Sequence, residues 1–153
     1  MTDWKLPWTG GCRCGAVRFT VTAAPLISMA CHCTGCQRMT ASAFSLSLAL
    51  PEAGFSVTKG EPVLGGLRQQ TRHYFCPDCK SWVYTRPADP PGLVNLRATM
   101  LDEAAWFVPH VEFFTAEKLP WATTGARHSY ATAPEPSEFG PLLAEYAAER
   151  ARP

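Results

Sequence analysis

Seven cysteines fall in three tight groups along this chain: Cys12 and Cys14 in "CRC", Cys31, Cys33 and Cys36 in "CHCTGC", and Cys76 and Cys79 in "CPDC". This grouping constrains the fold more than any other feature, because it dictates which distant loops must meet. Residues 1–11 carry Asp3 and Lys5 and no apolar run of the kind a secretory leader requires, so the expected setting is soluble and cytoplasmic. In a reducing compartment, clustered cysteines read as metal ligands or catalytic thiols rather than as disulfides.

A structural zinc ion takes four ligands in a tetrahedron, with sulfur about 2.3 Å away. A CxxC turn supplies one edge of that tetrahedron. "CPDC" follows the strand-like "TRHYF" and is stiffened by Pro77, while "CRC" precedes the strand-like "AVRFTVT". Two such loops meeting at one ion give a closed site of Cys12, Cys14, Cys76 and Cys79. Closing the long loop between Cys14 and Cys76 costs entropy, and metal binding offsets it, so binding energy becomes folding energy. Cys31, Cys33 and Cys36 are left over. Three thiolates with a fourth place for an exchangeable ligand is the arrangement of a catalytic zinc. The spacing leaves alternatives open. His32 is a possible fourth ligand, although in an extended loop its side chain points away from those of Cys31 and Cys33. Other partitions, plain buried thiols and an empty three-cysteine site also fit.

At 153 residues and 46% apolar the chain suits one domain with a real core, and 18% charged is too low for a disordered chain. The formal charge of +1 argues against a strong grip on nucleic acid or anionic lipid. Loading seven thiolates with two zinc ions would shift it to about −2, further from a polyanion binder. The longest apolar stretch, "AFSLSLAL", is broken by serines and too short to span a bilayer.

Alternation predicts strands at 16–22, where Val17, Phe19 and Val21 oppose Arg18, Thr20 and Thr22, and at 43–50, where Phe44, Leu46, Leu48 and Leu50 oppose Ser45, Ser47 and Ala49. Further strands are expected at 55–58, 71–75, 82–85, 93–98 and 110–114, separated by proline and glycine turns. "LDEAAW" (101–106) reads as one helical turn capped by Asp102. "PSEFGPLLAEYAAERAR" (136–152) reads as a helix with Phe139, Leu142, Leu143 and Tyr146 on one face and Pro141 in its first turn. The expectation is a mainly β fold of short antiparallel strands with a C-terminal helix. Residues 1–131 form the zinc domain, and 132–153 are a linker and helix packed on it.

"GGCRCGAVRF", "CHCTGCQRMTASAF", "FCPDCKSWVY", "ATMLD", "PHVEFF" and "LPW" occur in this order over residues 10–121. Together they resemble the glutathione-dependent formaldehyde-activating enzyme family, which includes centromere protein V-like domains. The resemblance implies a zinc-pinned β-tent, a structural site at Cys12, Cys14, Cys76 and Cys79, and a three-cysteine site at Cys31, Cys33 and Cys36. It also implies condensation of glutathione with formaldehyde to S-hydroxymethylglutathione. The chain departs from the family pattern at Lys80, where glycine commonly follows the last cysteine. It has Thr40-Ala41-Ser42 where many relatives have Ser-Gly-Ser, and Ala98 where glycine is usual. None of these changes removes a ligand, and all bear on the substrate.

An open three-thiolate zinc favours the thiolate of an incoming thiol, which can attack a small aldehyde. The expected activity is therefore that of a carbon–sulfur lyase or synthase, with two zinc ions per chain, one structural and one labile, and a thiol such as glutathione and a small aldehyde as partners. Glutathione carries two carboxylates. Arg38, close after Cys36, is the first candidate to meet one, with Arg13 and Arg72 behind it. His73 and His110 are candidate proton shuttles that also suit strand faces. The tryptophans, Trp82 and Trp121 among them, suit core or pocket walls. The rival reading is a non-enzymatic zinc module for a protein or nucleic-acid partner. Against it, Arg68 and Arg72 are the closest thing to a basic cluster. A redox sensor joining Cys31 to Cys36 is a third reading.

Overall fold

The computed structural model describes residues 4–67 and 70–149. Eleven strands among them form two sheets. The smaller holds β1 (Trp8–Gly11), β2 (Arg18–Val21) and β5 (Phe55–Lys59), in the order β1-β2-β5. The larger holds β3 (Ile27–Cys31), β4 (Ser45–Pro51), β6 (Val63–Gly65), β7 (Arg72–Phe75), β8 (Trp82–Arg86), β9 (Leu93–Arg97), β10 (Val111–Phe113) and β11 (His128–Ser129). Its order is β11-β10-β3-β4-β9-β8-β7-β6. Two α-helices complete the described fold, α1 (Thr34–Thr40) and α2 (Pro136–Ala148).

The mainly β architecture and the C-terminal helix match the sequence expectation. Every strand expected from alternation is present, most of them trimmed by a residue or two. One pairing pattern differs: β10 runs parallel to both β3 and β11. The long connection from β9 carries the chain past β4 to the far edge of β3, and such a crossover permits parallel pairing.

β4 sits at the centre of the large sheet and is buried on both faces. Leu48 and Leu50 join Phe19, Phe55, Val83, Val94 and Leu96 in the main core, between the two sheets. Ala49, one residue out of phase, joins Ile27, Val111, Leu142 and Tyr146 on the opposite face, under α2. The period-2 reading of "AFSLSLAL" was therefore right, but its small face is covered by a helix rather than by water.

The helical turn expected at 101–106 is absent. A 3₁₀ turn forms just before it, at Ala98–Met100. Asp102 does not cap it, because its carboxylate is drawn across to the small sheet. There it pairs with Arg18 at 2.5 Å and accepts from the Thr9 hydroxyl at 2.7 Å. Pro141 is likewise not in the first turn of α2. Pro136 holds that place, and the Glu135 N–H donates to the Glu138 carboxylate at 2.8 Å, which fixes the start. Pro141 lies inside the helix, where it lacks an N–H for the fourth carbonyl back. Residues 150–152 of the expected helix, and Arg68, lie outside the described residues. Trp121 is 72% exposed rather than core. Trp4, Trp8 and Trp106 do pack together, with ring centroids 5.2–5.7 Å apart.

Gly10 is where β1 presses on the chain after β9. A Cβ there would lie 2.3 Å from the Met100 carbonyl oxygen and 2.4 Å from Phe19 Cζ. Gly10→Ala should cost about 2 kcal/mol by overpacking, read by denaturant unfolding. The Arg18 cation, aided by Thr9, holds the Asp102 carboxyl below its usual value. That stabilisation is present above the unfolded carboxyl's pKa and is lost as pH falls through the lower folded value. Both side chains are over a third exposed, so screening leaves about 0.5 kcal/mol. Asp102→Asn should be less stable than wild type by that amount at pH 7, and the gap should close below about pH 3.

Candidate metal centres and the adjoining pocket

Cys12 and Cys14 leave the end of β1, and Cys76 and Cys79 occupy the turn between β7 and β8. Their four sulfurs lie within 4.8 Å of one another. Cys12 Sγ is 3.6 Å from Cys14 Sγ, and Cys14 Sγ is 3.7 Å from Cys76 Sγ. The edge of a tetrahedral zinc–thiolate site is about 3.8 Å, so the spacing fits such an ion. Backbone amides also point at sulfur, Val17 N–H at Cys12 (3.2 Å) and Cys79 N–H at Cys76 (3.5 Å), as suits anionic acceptors. The Ser81 hydroxyl, 3.2 Å from Cys79 Sγ, helps draw that thiol down to about 5. Cys12 and Cys76 belong to the core between the sheets. This group therefore joins the small sheet to the large one.

Cys31 ends β3, Cys33 caps α1, and Cys36 lies one turn along that helix. A helical turn returns side chains three apart to one side, and these three sulfurs also lie within 4.8 Å of one another. Cys33 Sγ accepts the Cys36 N–H at 3.3 Å. The Cys31 thiol beside it, with Ser45, Cys33 and the Arg97 cation acting the same way, pulls Cys36 down to about 6; Cys31 itself is pushed up by Cys36 and by burial. All seven cysteines are free thiols. Both groups could hold a metal ion, and their all-sulfur character suits zinc.

His32 turns away from the three sulfurs. It is fully buried, with Nε2 2.8 Å from Glu112 Oε2. Glu112 also accepts from the hydroxyls of Thr124 (2.7 Å) and Ser129 (2.6 Å). The His32 backbone is held as firmly, since its carbonyl accepts from Gln37 Nε2 at 2.7 Å and its N–H donates to the Phe113 carbonyl at 3.0 Å. Glu117 then binds the start of α1 through the Thr34 N–H at 3.1 Å. Glu112, Gln37 and Glu117 thus orient the three-cysteine loop. No local pattern in the sequence singles out the two glutamates, because each acts across some eighty residues of chain.

Arg97 is the residue that sequence reasoning should have caught. It is an arginine closing the apolar strand "LVNLR". It is 7% exposed, stacks 4.1 Å over Trp82, and donates from Nη2 to the Asn95 carbonyl at 3.1 Å. Burial lowers it to about 10, while the thiolates of Cys36 and Cys31 hold it up. At neutral pH it is still a cation. A buried cation is stabilised by negative charge nearby, which thiolates of the three-cysteine group would supply. Arg97 also lines a pocket of about 430 Å³ with Met39, Phe44, Ser45, Lys80 and Trp82. Arg38 is exposed on α1 and does not line that pocket; Arg13 and Arg72 are exposed as well. His73 is held by Thr85 Oγ1 at 2.9 Å and sits edge-on to Trp82.

The model of the glutathione-dependent formaldehyde-activating enzyme family matches residues 7–117. The chain belongs to that family. A crystal structure of a Rhodobacter sphaeroides protein is similar to it with a TM-score of 0.50 and 22% identity, over 61% of this chain and 87% of that one, a likeness of fold. No described helix is long and apolar enough to cross a membrane.

Two departures from the glutathione-dependent formaldehyde-activating pattern acquire a backbone meaning. Ala41 closes α1 at φ 51°, and Lys80 closes the CPDC turn at φ 61°. Both are left-handed positions, where glycine is at ease and an L side chain costs about 1 kcal/mol. Lys80→Gly should therefore raise stability by about 0.5–1 kcal/mol, measured as a shift in denaturation midpoint with an unchanged m-value.

Proposed function

We propose that this protein is a zinc-dependent carbon–sulfur lyase or synthase. It joins a thiol such as glutathione to a small aldehyde such as formaldehyde, in a cytoplasmic setting. One observation carries the reading: a three-sulfur group remains after the four-sulfur site is complete, and a buried arginine balances its charge. Cys12, Cys14, Cys76 and Cys79 would hold a structural ion. Cys31, Cys33 and Cys36 would hold a second, whose open position favours an incoming thiol as its thiolate.

The chain's own groups then divide the work. Met39, Phe44 and Trp82 give the pocket an apolar wall against which the thiol and the aldehyde would lie. Arg97 stays fixed by its stack on Trp82 and offsets the thiolate charge. Lys80, at the pocket wall, is placed to meet a substrate carboxylate, a role for which Arg38 is more remote. In the forward reaction the sulfur lone pair forms the S–C bond, the carbonyl π pair moves to oxygen, and the proton lost by the thiol ends on that oxygen. Holding both reactants in one pocket supplies most of the acceleration.

Cys33→Ser should retain the far-UV spectrum, lose one zinc per chain, and reduce thiol-dependent formaldehyde consumption to the uncatalysed rate. Unchanged turnover would rule out the mechanism. Lys80→Gly, although more stable, should raise KM for glutathione by about 3- to 10-fold, as for loss of one partly exposed charge contact. It should leave KM for an uncharged thiol unaltered.

A further inference from the structure

A third cluster of ligating side chains lies apart from the cysteines, where α2 meets the edge of the large sheet. His110 precedes β10, His128 opens β11, and Glu145 projects from α2. One ligand atom from each lies within 4.8 Å of the others. His128 Nε2 is 2.7 Å and His110 Nε2 3.5 Å from the same oxygen, Glu145 Oε2. Glu149 Oε1 stands 3.3 Å from His110 Nδ1. Two of the three ligands, His128 and Glu145, fall beyond residues 7–117, the part of the chain that the family match covers.

Three features favour a cation here over a plain hydrogen-bonded latch. First, the His110 side chain is only 3% exposed, and its Nε2 has no hydrogen-bond partner. A latch satisfies His128 and Glu145 and leaves that nitrogen orphaned, whereas a metal would take its lone pair. Second, the ligands are rigidly placed. The His110 N–H donates to the Ser28 carbonyl at 2.9 Å, and its own carbonyl accepts from the amides of Arg127 (3.0 Å) and His128 (3.1 Å). Third, the charge is right for a dication. Glu145 and Glu149 bring two negative charges, and Arg127, which contacts both at 3.1 and 3.0 Å, returns one positive charge. Its side chain is 57% exposed and can withdraw into solvent.

We propose that His110, His128 and Glu145 form a further metal site, of two imidazoles and a carboxylate, which takes a divalent transition metal such as zinc and fastens α2 to the sheet. Glu149 is within reach as a fourth ligand. The site is chemically distinct from the all-sulfur groups, and it stands whether or not those groups do chemistry.

The test is zinc counting after equilibrium dialysis of the full-length, thiol-reduced protein against buffered free zinc. His128→Ala and Glu145→Gln are measured beside wild type. Both side chains are at least a third exposed, so neither change opens a core cavity. Wild type should hold one zinc more than either variant, and its Tm should rise further with added zinc than theirs does. A wild-type count equal to that of both variants would overturn the proposal. So would an equal zinc-induced rise in Tm for wild type and variants.

Discussion

Four sulfurs brought together from two loops are the constraint on which the rest of the structure depends. Cys12 and Cys14 come from the small sheet, and Cys76 and Cys79 from the large one, yet all four sit within 4.8 Å. Four thiolates that close would repel one another, and a cation held among them would offset that repulsion and tie its binding to folding. Once it is made, Cys12 and Cys76 are part of the core, β1 lies against the chain after β9, and the Gly10 contact follows. The turn that completes the site ends in Lys80 and leads directly into Trp82, so the same knuckle builds one wall of the pocket. Fold and candidate chemistry thus share a hinge of a few residues.

The second group is governed by charge rather than by connectivity. Arg97 is almost fully buried, and its guanidinium has few protein acceptors, with Nε unpartnered. Such a side chain is stable inside only where negative charge accumulates nearby. Cys36, the thiol of the group that is drawn down, is the first source of it. The ring of His32 is engaged elsewhere, 2.8 Å from the Glu112 carboxylate. Arg97 links this group to the pocket, which it lines together with Lys80.

Much of this was legible in the sequence. Strands such as "AVRFTVT" announce themselves because burial on one face enforces a period of two, and the cysteine grouping marks the ligand-bearing loops while leaving their partition open. What was missed depends on distance along the chain. β1, β3 and β11 are short or glycine-containing and exist because neighbours pair with them. α1 lacks an apolar stripe and is held by Cys33, Gln37 and Glu117 rather than by propensity. Asp102 looked like a cap because nothing local reveals that Arg18 reaches it. Arg97 was overlooked inside a strand, although an arginine amid apolar neighbours is itself a sign of a buried partner. The glycine-to-side-chain departures at Ala41 and Lys80 were visible from the start, and only the backbone angles explain them.

The most direct test of the central claim is stepwise metal removal with a competing chelator, following zinc release and far-UV circular dichroism together in a Glu145→Gln background. The account predicts two phases. One zinc leaves with the fold intact and thiol-dependent activity lost, and a second leaves only as the protein unfolds. Release of all zinc with no loss of structure, or a single phase in which activity and fold vanish together, would contradict it.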